Sequence, residues 1–413
     1  MFNSQYKKLL KTQLKEISVP ESELKEIKEA TNNLIKQLEK KKLKANIGGS
    51  LAKNTLIKKK NQDVDLFIQF DYEKETKTLG KILKKLKTKG KLSTIHGSRD
   101  YFRISHPKFA LEIIPTVKCK KPEDAKNITD ISMFHVTYIK KKIKRNPKLA
   151  NEIKLAKVFC EAADCYGAES YIQGFSGYAL EVLTCHYGSF IKFLKKIGAE
   201  KIIDPEKQFK TKKEVMRELN ASKLISPIIL VDPTYKYRNV TAALSQETLD
   251  KFLKYKTNFL KEIKSEYFKK KIINQEEIKQ YAKKAGLEYL ELKFTTKKQE
   301  GDIAGTKMKK FFNFFIQQLE KKNQEVLIKE FEYSGKGKKA TGYLAVKEVK
   351  RIEIKGPTLA MKDQVINFRK ARKEVFERKG SIWAMEDTSI KEIFNKTKKQ
   401  QGEMGVKAEM KLN

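Results

Sequence analysis

The segment Gly48-Gly49-Ser50-Leu51-Ala52-Lys53-Asn54-Thr55, with Asp63-Val64-Asp65-Leu66-Phe67-Ile68 further on, joins a small-residue turn to two carboxylates in an apolar run. Backbone N–H groups approach a ligand closely where no side chain intervenes, so a Gly-Gly-Ser turn can wrap the oxygens of a triphosphate. Gly49, Ser50 and Lys53 are the candidates for that contact. Alternate residues of an extended strand share a face, which points Asp63 and Asp65 the same way. Two hard oxygen ligands beside a phosphate cradle suit Mg²⁺ rather than a softer metal. The combination predicts nucleotidyl transfer.

That chemistry uses two ions about 3.5–4 Å apart, one for the attacking hydroxyl and one for the triphosphate, and a third carboxylate commonly completes the site. Glu112, in Ala110-Leu111-Glu112-Ile113-Ile114-Pro115, is the candidate. A lone acid within an apolar strand is expensive to bury unless it is paired or binds metal. Asp71 and Asp100 fall in apparent turns and compete less well.

Outward from this core, 413 residues are enough for about two to four domains. The 39% hydrophobic and 34% charged fractions describe a soluble protein. No apolar run nears the ~20 residues of a membrane span, and the start, Met1-Phe2-Asn3-Ser4, lacks the apolar core of a signal peptide. A cytoplasmic location is expected. The formal charge of +39 attracts a polyanion and makes binding salt-dependent. Only nine of the 90 basic residues are arginine, a skew that also fits an A/T-biased genome. Cys119, Cys160, Cys165 and Cys185 form neither a C-x-x-C pair nor a zinc spacing with the four histidines, so reduced thiols are expected.

Apolar periodicity predicts helices over 5–17 and 21–44, a short helix at 51–56, a lysine-rich helix at 76–88, and strands near 91–96, 100–105 and 109–114. Helices follow at 147–165 and 176–196, opening a largely helical second domain that runs to about 257. The remainder predicts a smaller α+β unit: a strand at 289–294, a helix at 306–322, and strands near 325–332, 341–347 and 350–354. Gly356-Pro357 reads as a break, 361–378 as a helix, and the last dozen residues as mobile. No internal repeat is present.

These residues resemble a known family, the archaeal (class I) CCA-adding tRNA nucleotidyltransferases of the polymerase-β superfamily. Gly49-Ser50 with Asp63-x-Asp65 and Glu112-Ile113-Ile114-Pro115 carry the head. Tyr166-Gly167-Ala168-Glu169, Gly174-Phe175-Ser176-Gly177-Tyr178 and Tyr187-Gly188-Ser189-Phe190 form a second block. Val231-Asp232-Pro233 and Arg238-Asn239-Val240-Thr241-Ala242-Ala243-Leu244-Ser245 form a third. The similarity is clear over residues 1–255 and weakens beyond, where Gly356-Pro357 and Trp383-Ala384-Met385-Glu386 still align. The E-D-x-x-R motif of the bacterial and eukaryotic class is absent from the sequence.

The resemblance implies an α+β multidomain protein: a polymerase-β-like catalytic head at 1–145, a helical neck at 146–257 with nucleotide-recognition residues, and a small α+β body and tail at 258–413 that binds tRNA. It implies addition of C, C and A to the tRNA 3′ end from CTP and ATP without a template, with Mg²⁺ on Asp63, Asp65 and Glu112. Ser50, His106, Ser132, Lys157 and Tyr166 match positions that bind the triphosphate or sugar, and Arg238 matches the arginine that reads the base. A guanidinium is a planar fork of donors, and C and A both present an acceptor beside an exocyclic amine. The family often forms homodimers, and the resemblance leaves that state open here. Two departures stand out: Glu112 replaces the usual Asp, and Ser132 replaces a common Thr. Two other functions fit the head: a different RNA nucleotidyltransferase, such as a poly(A) polymerase or A-only adder, and a non-catalytic RNA-binding protein with a decayed head.

Overall fold

The computed structural model describes residues 2–97, 99–270 and 272–412. The chain forms two compact units: Met1–Ala168 with Ile172–Lys271, and Ile272–Asn413 with the short segment Glu169–Tyr171. Residues expected for the head and for the neck thus share the first unit.

The first unit begins with helices α1 (Phe2–Ile17) and α2 (Glu21–Glu39), strand β1 (Lys44–Ile47) and the single-turn α3 (Gly49–Ala52). Strand β2 (Gln62–Phe70), short helices α4 (Glu73–Thr76) and α5 (Leu79–Leu83), and strands β3 (Lys91–Ile95), β4 (Tyr101–Ser105) and β5 (Phe109–Val117) follow. The strands make one mixed sheet in the order β1-β2-β5-β4-β3, with β2 and β5 parallel. Helix α2 covers it with the buried stripe Ile27, Thr31, Leu34 and Leu38, against Val64, Leu66, Ile68, Leu111 and Ile113. The stripe recurs at helical spacing and the strand residues alternate, so each element buries one face.

Two expectations change here. Residues 40–47 turn and enter β1 instead of prolonging α2, and Lys42 takes a positive φ of 60° at the turn. The segment at 76–88 contains no long helix: α4 ends at Thr76 and only the short α5 follows.

Helices α6 (Ser132–Arg145), α7 (Lys148–Ala162), α8 (Gly177–Tyr187) and α9 (Phe190–Lys196) come next. The single helix expected at 176–196 is two, because Gly188 terminates α8 at φ +82° and the Ser189 hydroxyl caps α9 by accepting from the Lys192 N–H. Strand β6 (Ile202–Ile203), α10 (Lys212–Glu218), β7 (Ile229–Asp232), β8 (Tyr235–Asn239) and α11 (Gln246–Lys261) complete the unit. The helical region therefore encloses a small sheet, β6-β7-β8. Its core is aromatic: Phe159 packs edge-on or tilted against Phe190, Phe252, Phe259 and Phe268.

The second unit contains α12 (Gln275–Ala285), β9 (Glu288–Thr296), α13 (Gly301–Lys321), β10 (Glu325–Glu332), β11 (Lys339–Lys347) and β12 (Arg351–Thr358). Then come α14 (Lys362–Lys370), β13 (Glu374–Arg378), β14 (Ser381–Asp387), α15 (Ile390–Lys396), α16 (Lys398–Met404) and β15 (Val406–Leu412). Its two sheets run β10-β11-β9-β15 and β12-β14-β13. Gly356-Pro357 lies inside β12 as an irregularity, where pairing to β14 slips between Lys355 and Thr358; proline has no N–H for the ladder. The helix expected over 361–378 stops at Lys370, and Glu374–Arg378 pairs with β14. Within the stretch expected to be mobile, Val406–Leu412 is paired: β15 alternates buried Val406 and Ala408 with exposed lysine and glutamate and pairs with β9. Lysine content obscured a period-two pattern. Among the described residues, no helix is long and apolar enough to cross a membrane.

Candidate active site

β1 ends in the Gly48-Gly49 turn, whose Gly48 N–H donates to the Asp65 carbonyl at 2.8 Å. The turn therefore rests on the strand that carries the acids. Gly49 has φ +53°, and a Cβ there would fall 1.7 Å from Asp65 Oδ2. Both facts demand glycine, one through backbone conformation and the other through space. Ser50 follows on the first turn of α3, and α6 packs against that turn.

In the β2–β5 register Asp65 stands opposite Glu112, and Glu112 stands opposite Arg103 of β4. Asp63, two residues before Asp65, shares its face. The Arg103 guanidinium donates to Glu112 Oε1 and to Asp63 Oδ1, each at 2.6 Å. Burial pushes the Asp65 carboxyl up to about 6; Asp63 and Glu181 push the same way, against Lys53 and Lys157. Three carboxylates thus occupy one sheet face, and one of them is reluctant to ionise. The donor set is hard oxygen throughout, which fits Mg²⁺, and a divalent ion would relieve the cost of charging Asp65. In the arrangement described, no three acidic, histidine or cysteine side chains converge as a metal-holding group among the described residues. The fit is one of chemistry and face, and closure requires side-chain movement.

Lys53 and Lys157 meet at Glu181. Its Oε2 lies 2.5 Å from Lys53 Nζ, and its Oε1 lies 2.8 Å from Lys157 Nζ and 3.1 Å from the Thr55 hydroxyl. Lys157 Nζ also donates to Thr55 Oγ1 at 3.1 Å. The three charged side chains are buried, with exposures of 8%, 4% and 1% for Lys53, Lys157 and Glu181. Burial alone would raise Glu181, but Lys157 and Lys53 overwhelm it and hold it at about 2. Burial lowers Lys157 despite Glu181. Both lysines expected to meet a triphosphate are therefore already joined to one carboxylate.

Tyr166 forms a bridge with Phe175 and packs against Gly177, where an added Cβ would sit 3.0 Å from the Tyr166 hydroxyl and 4.0 Å from Lys157 Cε. Lys59 Nζ lies 5.2 Å from the Tyr166 ring centre. Tyr166 and Lys157 are thereby brought together.

Arg238 belongs to a second cluster, built on the fully buried Asp232 at the end of β7. The carboxylate accepts from Arg238 Nη1 at 2.7 Å, His135 Nε2 at 3.0 Å, the Tyr178 hydroxyl at 3.1 Å, and the Thr234 N–H and hydroxyl at 2.8 Å each. Burial would raise Asp232; His135, Arg238 and the Thr234 N–H together push it well below the usual range. His135 stacks on Tyr178 with ring centres 3.9 Å apart. Burial lowers the His135 pKa, and the charge of Lys53 acts on both His135 and Asp65.

Ser132 starts α6 one helical turn before His135, on the same side. His106 is the outlier among the expected contacts. It sits in the β4–β5 hairpin, its N–H donating to the Phe109 carbonyl, its ring stacked on Phe109 at 4.3 Å, and its electrostatic partner is Glu26.

Sequence reasoning missed Arg103, His135 and Glu181, and it placed Asp232 in a block without giving it a role. Glu181 and Asp232 carried the same signal that exposed Glu112, an acid inside an apolar element: Ala179, Leu180, Val182 and Leu183 around one, Ile229, Leu230 and Val231 before the other.

The model of the tRNA nucleotidyltransferase second domain matches residues 151–269, which hold Lys157, Tyr166, Glu181, Asp232 and Arg238. Among solved structures, a cytoplasmic RNA terminal U-transferase aligns with TM-score 0.51 at 14% identity over 65% of this chain and 99% of its own. A poly(U) polymerase bound to Mg and 3′-dATP aligns with TM-score 0.52 at 14% identity, with the same coverage. The fold is that of the polymerase-β-like nucleotidyltransferases. The CCA-adding enzyme of Nanoarchaeum equitans is 35% identical over 285 residues, 68% of each chain. Those of Methanocaldococcus jannaschii and Pyrococcus abyssi are 31% and 32% identical, over 56% and 53% of this chain. The matched region spans about half the length of these two, 52% and 50%. The chain belongs to the family of archaeal CCA-adding enzymes.

Proposed function

We propose that this protein adds C, C and A to the 3′ end of tRNA from CTP and ATP, without a template, by attack of the RNA 3′-hydroxyl on the nucleotide α-phosphate with release of pyrophosphate. The observation that carries the reading is the seating of the Gly48-Gly49 turn directly on Asp65, with Glu112 opposite it in register. Phosphate cradle and carboxylates then address one ligand.

Asp63, Asp65 and Glu112 would hold Mg²⁺, which supplies a lowered pKa for the attacking hydroxyl and neutralises charge at the triphosphate. Ser50 and the amides of α3 bind the β- and γ-phosphates. Lys53 and Lys157 supply positive charge from buried, fixed positions, where it acts more strongly than in water. Asp232 holds the Arg238 fork in one orientation toward the base, and the stacked His135–Tyr178 pair is bonded to the same carboxylate. The body and tail grip the acceptor and TΨC arms of tRNA through backbone and shape, aided by the lysine-rich surface.

Supplying CTP alone to tRNA that ends before CC tests this. Incorporation of two C residues and then a halt is expected, with A added once ATP is present, and with no transfer by the Asp63→Ala, Asp65→Ala double variant. A-only extension, or full activity of the double variant, would refute the reading.

A further inference from the structure

The register puts three acids on one face, yet among the described residues they do not converge as a metal-holding group, and Arg103 is bonded to two of them. Its side chain is 16% exposed, and its fork takes one oxygen from Glu112 and one from Asp63, at 2.6 Å each. Glu112 faces Asp65 across the strands but is tied to Asp63 through the guanidinium. Asp63 is half exposed and Glu112 one-fifth exposed, so both are within reach of solvent ions. A guanidinium stays charged at any working pH, and its two parallel donors match two carboxylate oxygens in the way a cation between them would.

We propose that Arg103 is an internal counter-ion, a positioning residue that occupies Asp63 and Glu112 in the metal-free protein and must release at least one of them when a divalent cation enters. The inference rests on the reading of these acids as metal ligands. Two consequences follow from charge alone. A fixed positive group beside the ligands lowers the affinity of the free protein for a divalent cation. A triphosphate brings negative charge that gives the guanidinium a second partner, so the cation binds well only together with the nucleotide. The longer Glu112 side chain suits this exchange, since it can reach Arg103 in one rotamer and swing toward Asp65 in another.

Mn²⁺ binding to the full-length protein, followed by electron paramagnetic resonance, tests the exchange without relying on turnover. Arg103→Gln is expected to bind Mn²⁺ about tenfold tighter than the parent in the absence of nucleotide, because a unit positive charge has left the site. Arg103→Lys, which keeps charge and loses the fork, should fall between the two. With a non-hydrolysable CTP analogue the parent and Arg103→Gln should converge to within about threefold, the guanidinium having moved to the triphosphate. Equal or weaker Mn²⁺ binding by Arg103→Gln without nucleotide would overturn the proposal, since a purely structural arginine loses ligand geometry when removed. The Asp63→Asn, Asp65→Asn double variant separates the two levels. Parent-like Mn²⁺ binding by that variant would refute the metal reading itself, whereas its loss alongside unchanged Arg103→Gln binding would refute only the role of Arg103.

Discussion

The Lys157 ammonium on α7 lies 2.8 Å from Glu181 Oε1 on α8, and the same carboxylate holds Lys53 of the phosphate-turn segment. One acid thereby ties helices α7 and α8 to the segment that follows the Gly48-Gly49 turn. Glu181→Gln would leave two ammonium groups buried without a counter-charge, a change that costs about 3–5 kcal/mol when a buried pair is broken. Chemical denaturation should show a loss in that range.

The same carboxylate sets an acid limb. Its folded pKa of about 2 lies below the ordinary 4.5, so its contribution is fully present above 4.5 and is lost as pH falls toward 2. The shifts of the partners do not mirror each other, because burial lowers Lys157 as well. Glu181 governs this limb. The difference in stability between the parent and Glu181→Gln, measured against pH, should shrink across that window.

Asp65 behaves in the opposite sense. Its folded value of about 6 exceeds the ordinary 3.8, so metal-free protein gains stability from this group as pH falls through 6. Asp65→Asn in chelator should therefore raise stability at neutral pH by up to about 3 kcal/mol, two pKa units at 1.36 kcal/mol each. Turnover should disappear in the same variant. Thermal unfolding with and without Mg²⁺ checks both signs.

Gly49→Ala places a methyl group against Asp65 Oδ2 at a φ of +53°. The backbone term alone costs about 1 kcal/mol or more, and the displaced carboxylate should reduce turnover further. Steady-state kinetics should show a fall in kcat of at least about tenfold, since a misplacement of about 1 Å can cost roughly a hundredfold.

Asp232→Asn removes the charge that orients Arg238. A hydrogen bond between charged groups contributes about 1.5–3 kcal/mol, so kcat/KM for CTP and ATP should fall roughly 10- to 150-fold. Discrimination against UTP and GTP should weaken at the same time. Competition between nucleotide triphosphates measures it directly, and a uniform loss with selectivity intact would argue against an orienting role.

The turn, the two aspartates and the strand of Glu112 were legible because each is a local pattern: small residues in a row, alternation around an acid, a lone carboxylate in an apolar run. What escaped was relational. Arg103 looks like an ordinary strand residue in Tyr101-Phe102-Arg103-Ile104 until the β4–β5 register sets it across from Glu112. His135 acquires meaning only when α6 brings it to Asp232, 97 residues away in sequence. Helix ends were misread where a cap decided them, at Gly188-Ser189, and β15 where lysine content hid alternation.

The pairing of Asp65 with Glu112 and of Glu112 with Arg103 has a bearing on assembly of the sheet itself. A slip of one residue in β4 would turn Arg103 to the opposite face and bring Phe102 or Ile104 over the acids, leaving negative charges crowded without a cation. The charges that the proposed function assigns to metal binding thus also penalise misaligned strands, and the acidic face acts as a checksum on the fold that presents it.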